Sequence, residues 1–119
     1  SPAGKAAMAN ASGADYFLSI HRNSSPYDNQ YTGVESLVYS KNGIARTIAE
    51  NINRELTRVG FVNQGIQERP NLAVLRRTDM PAVLVEVGFI NTDKDNIRFD
   101  TQFQEIARAI ANGLLKSIS

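Results

Sequence analysis

The only histidine of the chain, His21, ends an apolar run in FLSIHRNS and is followed at once by a polar, turn-rich stretch. A strand that delivers an imidazole to a turn suits metal ligation or proton transfer, because an unperturbed imidazole titrates near neutrality. A second misfit is Glu86, which interrupts AVLVEVGFI, a run otherwise continuous in the apolar residues of a buried strand. Burying a carboxylate there is costly unless it is paired, hydrogen-bonded or used in chemistry. Gly88 stands two residues on, where a missing Cβ lets backbone or ligand approach closely, and open α/β sheets take ligands beyond the carboxyl ends of their strands. His21 and Glu86 are therefore both placed to face one crevice. Each also has a plain structural explanation, His21 as a hydrogen-bonded residue and Glu86 as the partner of a backbone amide or of Arg76 or Arg77.

Asn23 follows His21 by two positions, where it can orient the ring, bond a substrate, or simply begin a turn. Arg76 and Arg77 offer carboxylate-binding forks, or a solvated pair before a turn. Glu35, in GVES, reads as a surface strand residue or a sheet-edge partner. Other chemistries lack their motifs. Ser19, Ser24, Ser25 and Ser36 are present, but no GxSxG elbow surrounds any of them, and there is no GxxxxGK[ST] or GxGxxG phosphate loop. The chain has no cysteine, which removes disulfides and thiolate chemistry and leaves the compartment open.

These residues need a scaffold, and 119 residues suffice for one domain with a single core. Thirteen basic and twelve acidic side chains give a formal charge of +1 without a basic stripe, which argues against a nucleic-acid partner. The apolar runs fall well short of the roughly 20 residues of a membrane-spanning helix. Ser1 as N-cap, Pro2 in the first turn and Gly13 as the stop predict an opening helix. DYFLSIH and VESLVYS predict strands around the loop RNSSPYDNQYTG, which is long for a plain connection. Ile44, Ile48, Ile52, Leu56 and Val59 recur at helical spacing over 42–60, with Gly60 as the stop. The region 61–81 reads as irregular, with one short strand expected at 72–75, before the strong strand AVLVEVGFI. Thr92 and Asp95 predict the cap of a short helix, and Thr101 with Gln104 a capping box. The last helix is expected to bury Phe103, Ile106, Ala107, Ile110, Ala111, Leu114, Leu115 and Ile118. Strands alternating with amphipathic helices predict an α/β fold with a mixed, helix-flanked sheet.

The blocks MANASGADYFLSIHRNS, GVESLVYS and NLAVLRRTDMPAVLVEVGFIN resemble, in order and spacing, the zinc-dependent N-acetylmuramoyl-L-alanine amidases of the type 3 family. The resemblance covers nearly the whole chain. It implies hydrolysis of the amide between N-acetylmuramic acid and the L-alanine of the peptidoglycan stem peptide, outside the cytoplasm. It implies one zinc held by two histidines and a glutamate, with His21 as the last of those ligands and Glu86 as the catalytic acid/base. Asn23 and Arg76 become substrate-binding candidates.

The family's GHGG-like turn and its ligand glutamate have no counterpart in these 119 residues, so the chain resembles the C-terminal two-thirds of the catalytic domain, with residues 1–13 ending the helical region before the SIH strand. Zinc is accordingly expected in the complete enzyme and to be absent or incompletely held by this chain alone, because one imidazole does not chelate. The isolated chain is then expected to lack activity and to self-associate through an exposed sheet edge. A non-catalytic cell-wall-binding or regulatory module that keeps the amidase fold is the alternative. GFINT departs from the family's frequent serine before the asparagine, leaving the part played by Asn91 open.

Overall fold

The run from Ala82 to Phe89 is the most continuous apolar stretch of the chain, and it becomes one of the two internal strands of the sheet. The computed structural model describes residues 1–119. Its elements are α1 (Pro2–Ser12), β1 (Phe17–Asn23), β2 (Val34–Val38), α2 (Ile44–Val59), β3 (Asn63–Glu68), α3 (Ala73–Arg76), β4 (Ala82–Phe89), α4 (Asp93–Thr101) and α5 (Phe103–Ile118). The strands lie in one sheet in the order β1-β4-β2-β3. β1 runs parallel to β4 and β2 parallel to β3, while β2 and β4 are antiparallel. The mixed, helix-flanked sheet expected from the sequence is the observed fold.

Strand side chains alternate between faces, and the two faces are covered differently. Val83, Val85 and Val87 of β4 point to one side with Val34 and Val38 of β2. There they pack on Ile48, Ile52 and Leu56 of α2 and on Ile106, Ala109 and Ile110 of α5. The two helices meet closely at Gly113, where a Cβ would sit 2.6 Å from the Ile52 Cα. On the opposite face Leu37, Ala82 and Leu84 pack on Val74 and Leu75 of α3. Asn10 ties α1 to the segment after α3, donating to the Arg77 carbonyl (2.8 Å) and accepting from the Asp79 amide (2.7 Å). This second apolar cover ends at Leu84, and the next side chain on that face of β4 is Glu86.

Several expectations are corrected. Residues 72–75 are not a strand: Leu72 precedes α3, and Val74 and Leu75 use the helical turn to bury against β2 and β4. The strand of this region is β3, whose sequence NQGIQE carries little apolar signal because it is a sheet edge. Buried Asn53 of α2 holds it in place. Its Oδ1 accepts from Ser36 Oγ (2.7 Å), and its Nδ2 donates to Asn63 Oδ1 (3.0 Å) and to the Gly65 carbonyl (2.9 Å).

The capping box at Thr101 and Gln104 does not form. α4 continues to Thr101, whose hydroxyl donates to the Ile97 carbonyl (2.7 Å). Thr92 does precede α4, but its hydroxyl bonds the Tyr31 carbonyl rather than a helix amide. On α5, Ala109 and Gly113 take inner positions, whereas Phe103 and Leu115 are more than half exposed. Phe103 and Ala107 instead line an apolar hollow of about 380 Å³ with Ile20, Phe99, Ile106 and Ile110, beside the outer edge of β1.

Candidate active site

His21 and Glu86 are register partners across the parallel β1–β4 ladder, so their side chains leave the same face of the sheet. The antiparallel β2–β4 ladder sets Glu35 opposite Glu86 on the other side. One row across three strands thus carries an imidazole and two carboxylates, at the point where the apolar cover over Leu84 stops. The sequence set His21 and Glu86 at corresponding strand positions, and the fold makes them register partners on one face of the sheet.

Glu86 is half-buried and has one carboxylate oxygen, Oε2, that is shielded from solvent without a hydrogen-bond partner. Burial pushes its carboxyl above the ordinary glutamate range. The His21 charge opposes that rise and the Glu35 charge adds to it. Neither Arg76 nor Arg77 pairs with it, so the ion-pair explanation does not apply. His21 is exposed, and its Nε2 lies 2.9 Å from the hydroxyl of buried Ser19, two residues earlier on the same face. That contact fixes the ring and leaves Nδ1 free. A hollow of about 250 Å³ adjoins the ring, lined by Lys5, Ser19, Asn71, Leu72, Val74 and Leu84 among others.

Behind the row the backbone of β4 is clamped from two sides. Arg22, on the opposite face from His21, donates through Nε to the Val87 carbonyl and through Nη2 to the Phe89 carbonyl (3.3 Å) and Asn96 Oδ1 (2.9 Å). Its guanidinium lies 4.1 Å from the Phe99 ring centroid, a cation–π stack. Burial pulls the guanidinium's pKa down from its ordinary value, against the charges of Asp95 and Asp100. Asp95, itself buried, accepts from the Phe89 amide (2.9 Å), the Gly33 amide (3.0 Å) and Thr32 Oγ1 (2.7 Å). Gly88 lies between the clamps with φ 75°, and a Cβ there would come within 3.0 Å of the Asp95 Cβ. The β1–β4 register shifts at this point, between His21 and Asn23. Gly88 therefore serves the backbone of the bulge.

Asn23 ends β1, and its Oδ1 accepts from the Ser24 amide (2.9 Å), the bond of an asparagine beginning a turn. Asn91 pins the loop after β1: its Oδ1 accepts from the Ser25 amide (3.0 Å) and its Nδ2 donates to the Ser25 carbonyl (2.8 Å). Arg76 is exposed on α3 and lines a cavity of about 470 Å³ with Tyr39, Asn42, Thr78 and Met80. That cavity adjoins Ala82, where β4 begins, four residues or about 13 Å of strand away from Glu86. Arg22 was not singled out from sequence, Asp95 was read as a helix cap, and Glu35 was read without its place opposite Glu86.

The fold and this row define an α/β domain with titratable side chains on one face of a mixed sheet. Residues 1–116 match the family described as N-acetylmuramoyl-L-alanine amidase, and the chain belongs to it. It is 39% identical over 115 residues to the N-acetylmuramoyl-L-alanine amidase CwlM of Bacillus licheniformis, covering 93% of this chain and 44% of that protein. It is 41% identical over 110 residues to the sporulation-specific N-acetylmuramoyl-L-alanine amidase of Bacillus subtilis (strain 168), covering 89% of this chain and 41% of that one. The crystal structure of N-acetylmuramoyl-L-alanine amidase from Clostridium difficile 630 superimposes with a TM-score of 0.87 at 32% identity, over 98% of this chain and 64% of that chain. The chain thus spans less than half the length of these two curated relatives.

Proposed function

We propose that the protein containing this chain hydrolyses the amide joining N-acetylmuramic acid to the L-alanine of the peptidoglycan stem peptide. The observation that supports this most is Glu86, a half-buried carboxylate with an unpartnered oxygen, set beside His21 in a domain of the amidase family. A carboxyl with a raised pKa can take a proton from attacking water and return it to the departing nitrogen. The clamps of Arg22 and Asp95 hold the backbone just beyond Glu86, so the carboxylate is presented in one position. Because peptidoglycan lies outside the cytoplasmic membrane, the site of action is extracytoplasmic. No helix of the chain is long and apolar enough to cross a membrane.

Zinc belongs to this reading, with His21 as a ligand. Among these residues, however, no group of three His, Cys, Asp or Glu side chains lies together as a metal site. His21 and the acid–base Glu86 do not fit a complete three-ligand zinc centre. A zinc ion held with His21 among its ligands would supply water activation and carbonyl polarisation. Asn23 and Arg76 are carried as substrate contacts, Arg76 at the far end of β4 from Glu86. A non-catalytic cell-wall-binding module is not favoured, because the curated relatives above are named as amidases.

The test is digestion of purified peptidoglycan with the intact protein, followed by mass spectrometry of the soluble products. Stem peptides that begin with a free L-alanine amine, and glycan bearing the free lactyl carboxylate, are expected. Cleavage confined to glycosidic bonds or to peptide bonds within the stem would contradict the reading.

A further inference from the structure

Glu35 and Glu86 stand opposite each other on adjacent strands, an arrangement in which like charges destabilise a sheet. Such a pair is normally relieved by a cation. The one positive group beside it is His21, and no lysine or arginine pairs with either acid: the chain's ion pairs lie at Glu50 and Glu55, on α2. Glu35 is half-buried and leaves the sheet on the face that carries Glu86 and His21. The shielded, unpartnered Oε2 of Glu86 marks the same spot. A sheet that tolerates this repulsion, with one Glu86 oxygen unpartnered and Glu35 in no salt bridge, has a place for a positively charged or N–H-donating group brought by something else.

We propose that Glu35 is a substrate-binding and specificity-determining residue that receives the nitrogen side of the scissile bond. It accepts from the amide N–H in the bound substrate and pairs with the α-ammonium of the departing peptide. The proposal rests on the amidase reading above and assigns a part that the reading leaves unfilled. In the hydrolysis the C–N bond breaks and the water oxygen bonds the carbonyl carbon. One water proton passes by way of Glu86 to the nitrogen. The carboxylic acid so formed loses its proton and the amine gains one, leaving a carboxylate and an ammonium. Only the ammonium-bearing product carries a new positive charge, and Glu35 is the free anion beside the proton carrier.

The experiment compares two probes on the intact protein: an L-alanyl peptide with a free amino terminus, and the same peptide N-acetylated. Each is titrated by calorimetry, which needs no turnover, and as an inhibitor of peptidoglycan hydrolysis. Wild type is expected to bind the free amine at least about tenfold more tightly than the acetylated form, the scale of one hydrogen bond to a charged group. Glu35→Gln is expected to lose that preference, while Glu35→Asp, which keeps the charge, retains most of it. The Gln variant relieves a repulsion, so its thermal melt is expected at or above the wild-type temperature. An unchanged preference in Glu35→Gln, equal loss in both variants, or no preference in wild type would overturn the proposal. Absence of any L-alanine-headed product from wild type would instead strike the amidase reading, and the calorimetry separates the two failures.

Discussion

His21 and Glu86 are paired residue to residue across the parallel β1–β4 ladder, which puts their backbones one strand spacing apart, about 4.8 Å. A carboxyl and an imidazole are thus fixed relative to one another by backbone hydrogen bonds rather than by flexible loops. The apolar cover that ends at Leu84 decides how much water reaches them. Half-burial raises the affinity of Glu86 for a proton, and the direction of that shift has a measurable consequence for stability.

Glu86 has a folded-state pKa above its unfolded value, so the folded chain binds the extra proton in the window between the two. Stability there falls as pH rises. Above the folded pKa the full cost of the buried charge is present, and below the ordinary value of 4.5 it is gone. Glu86→Gln is therefore expected to melt at a higher temperature than wild type at pH 7, with the gain shrinking toward zero as pH falls below that value. Thermal denaturation in chelator-containing buffer across pH 3.5–8, a range of about one unit below to several above the carboxylate range, checks it. A gain that grows on acidification would contradict the assignment.

Arg22 is expected to act on the site from behind. Arg22→Met removes the donors to the Val87 and Phe89 carbonyls and should cost about 2 kcal/mol, the range for hydrogen bonds to a charged group. Hydrogen exchange at Phe89 and Ile90 should speed up more than at Val83. Arg22→Lys keeps the charge but not the fork, and is expected to recover less than half of the loss. Uniform acceleration across β4 would show global destabilisation instead of a loosened bulge.

The outer edge of β1 has no neighbouring strand, and Ile20 and Phe103 are exposed beside it. Unpaired strand edges next to apolar surface invite pairing with another chain. The isolated 119-residue species is expected to self-associate in a concentration-dependent way by light scattering. Ile20→Lys, which places a charge in the apolar hollow beside that edge, should shift it toward monomer. A wild-type species that stays monomeric at all concentrations would count against this.

How much of this was legible beforehand depended on whether a residue broke a local rule. Glu86 violates an apolar strand and His21 is unique, so both stood out, and the strands and long helices around them followed from period and caps. Glu35 breaks nothing in VESLV, because a polar residue on a half-exposed strand is ordinary. Its meaning lies in the β2–β4 register, a non-local quantity. Asp95 looked like a first-turn acid of α4, yet its carboxylate serves the amides of Gly33 and Phe89, which are far apart in sequence. β3 escaped because Ile66 is its one apolar side chain and much of its hold comes from Asn53 and the edge ladder. Leu72, Val74 and Leu75 satisfy either a strand or a single helical turn, and packing on Leu37 and Leu84 selects the turn.

The most direct test of the account is the turnover of Glu86→Gln in the intact protein. The substitution keeps size and hydrogen-bonding capacity but removes the proton carrier. Release of L-alanine-headed peptides from peptidoglycan is expected to fall by about 10² or more, the scale of general acid–base catalysis, while the variant remains folded and still binds peptidoglycan. Turnover within a few-fold of wild type would contradict the role of Glu86 and, with it, the site as described.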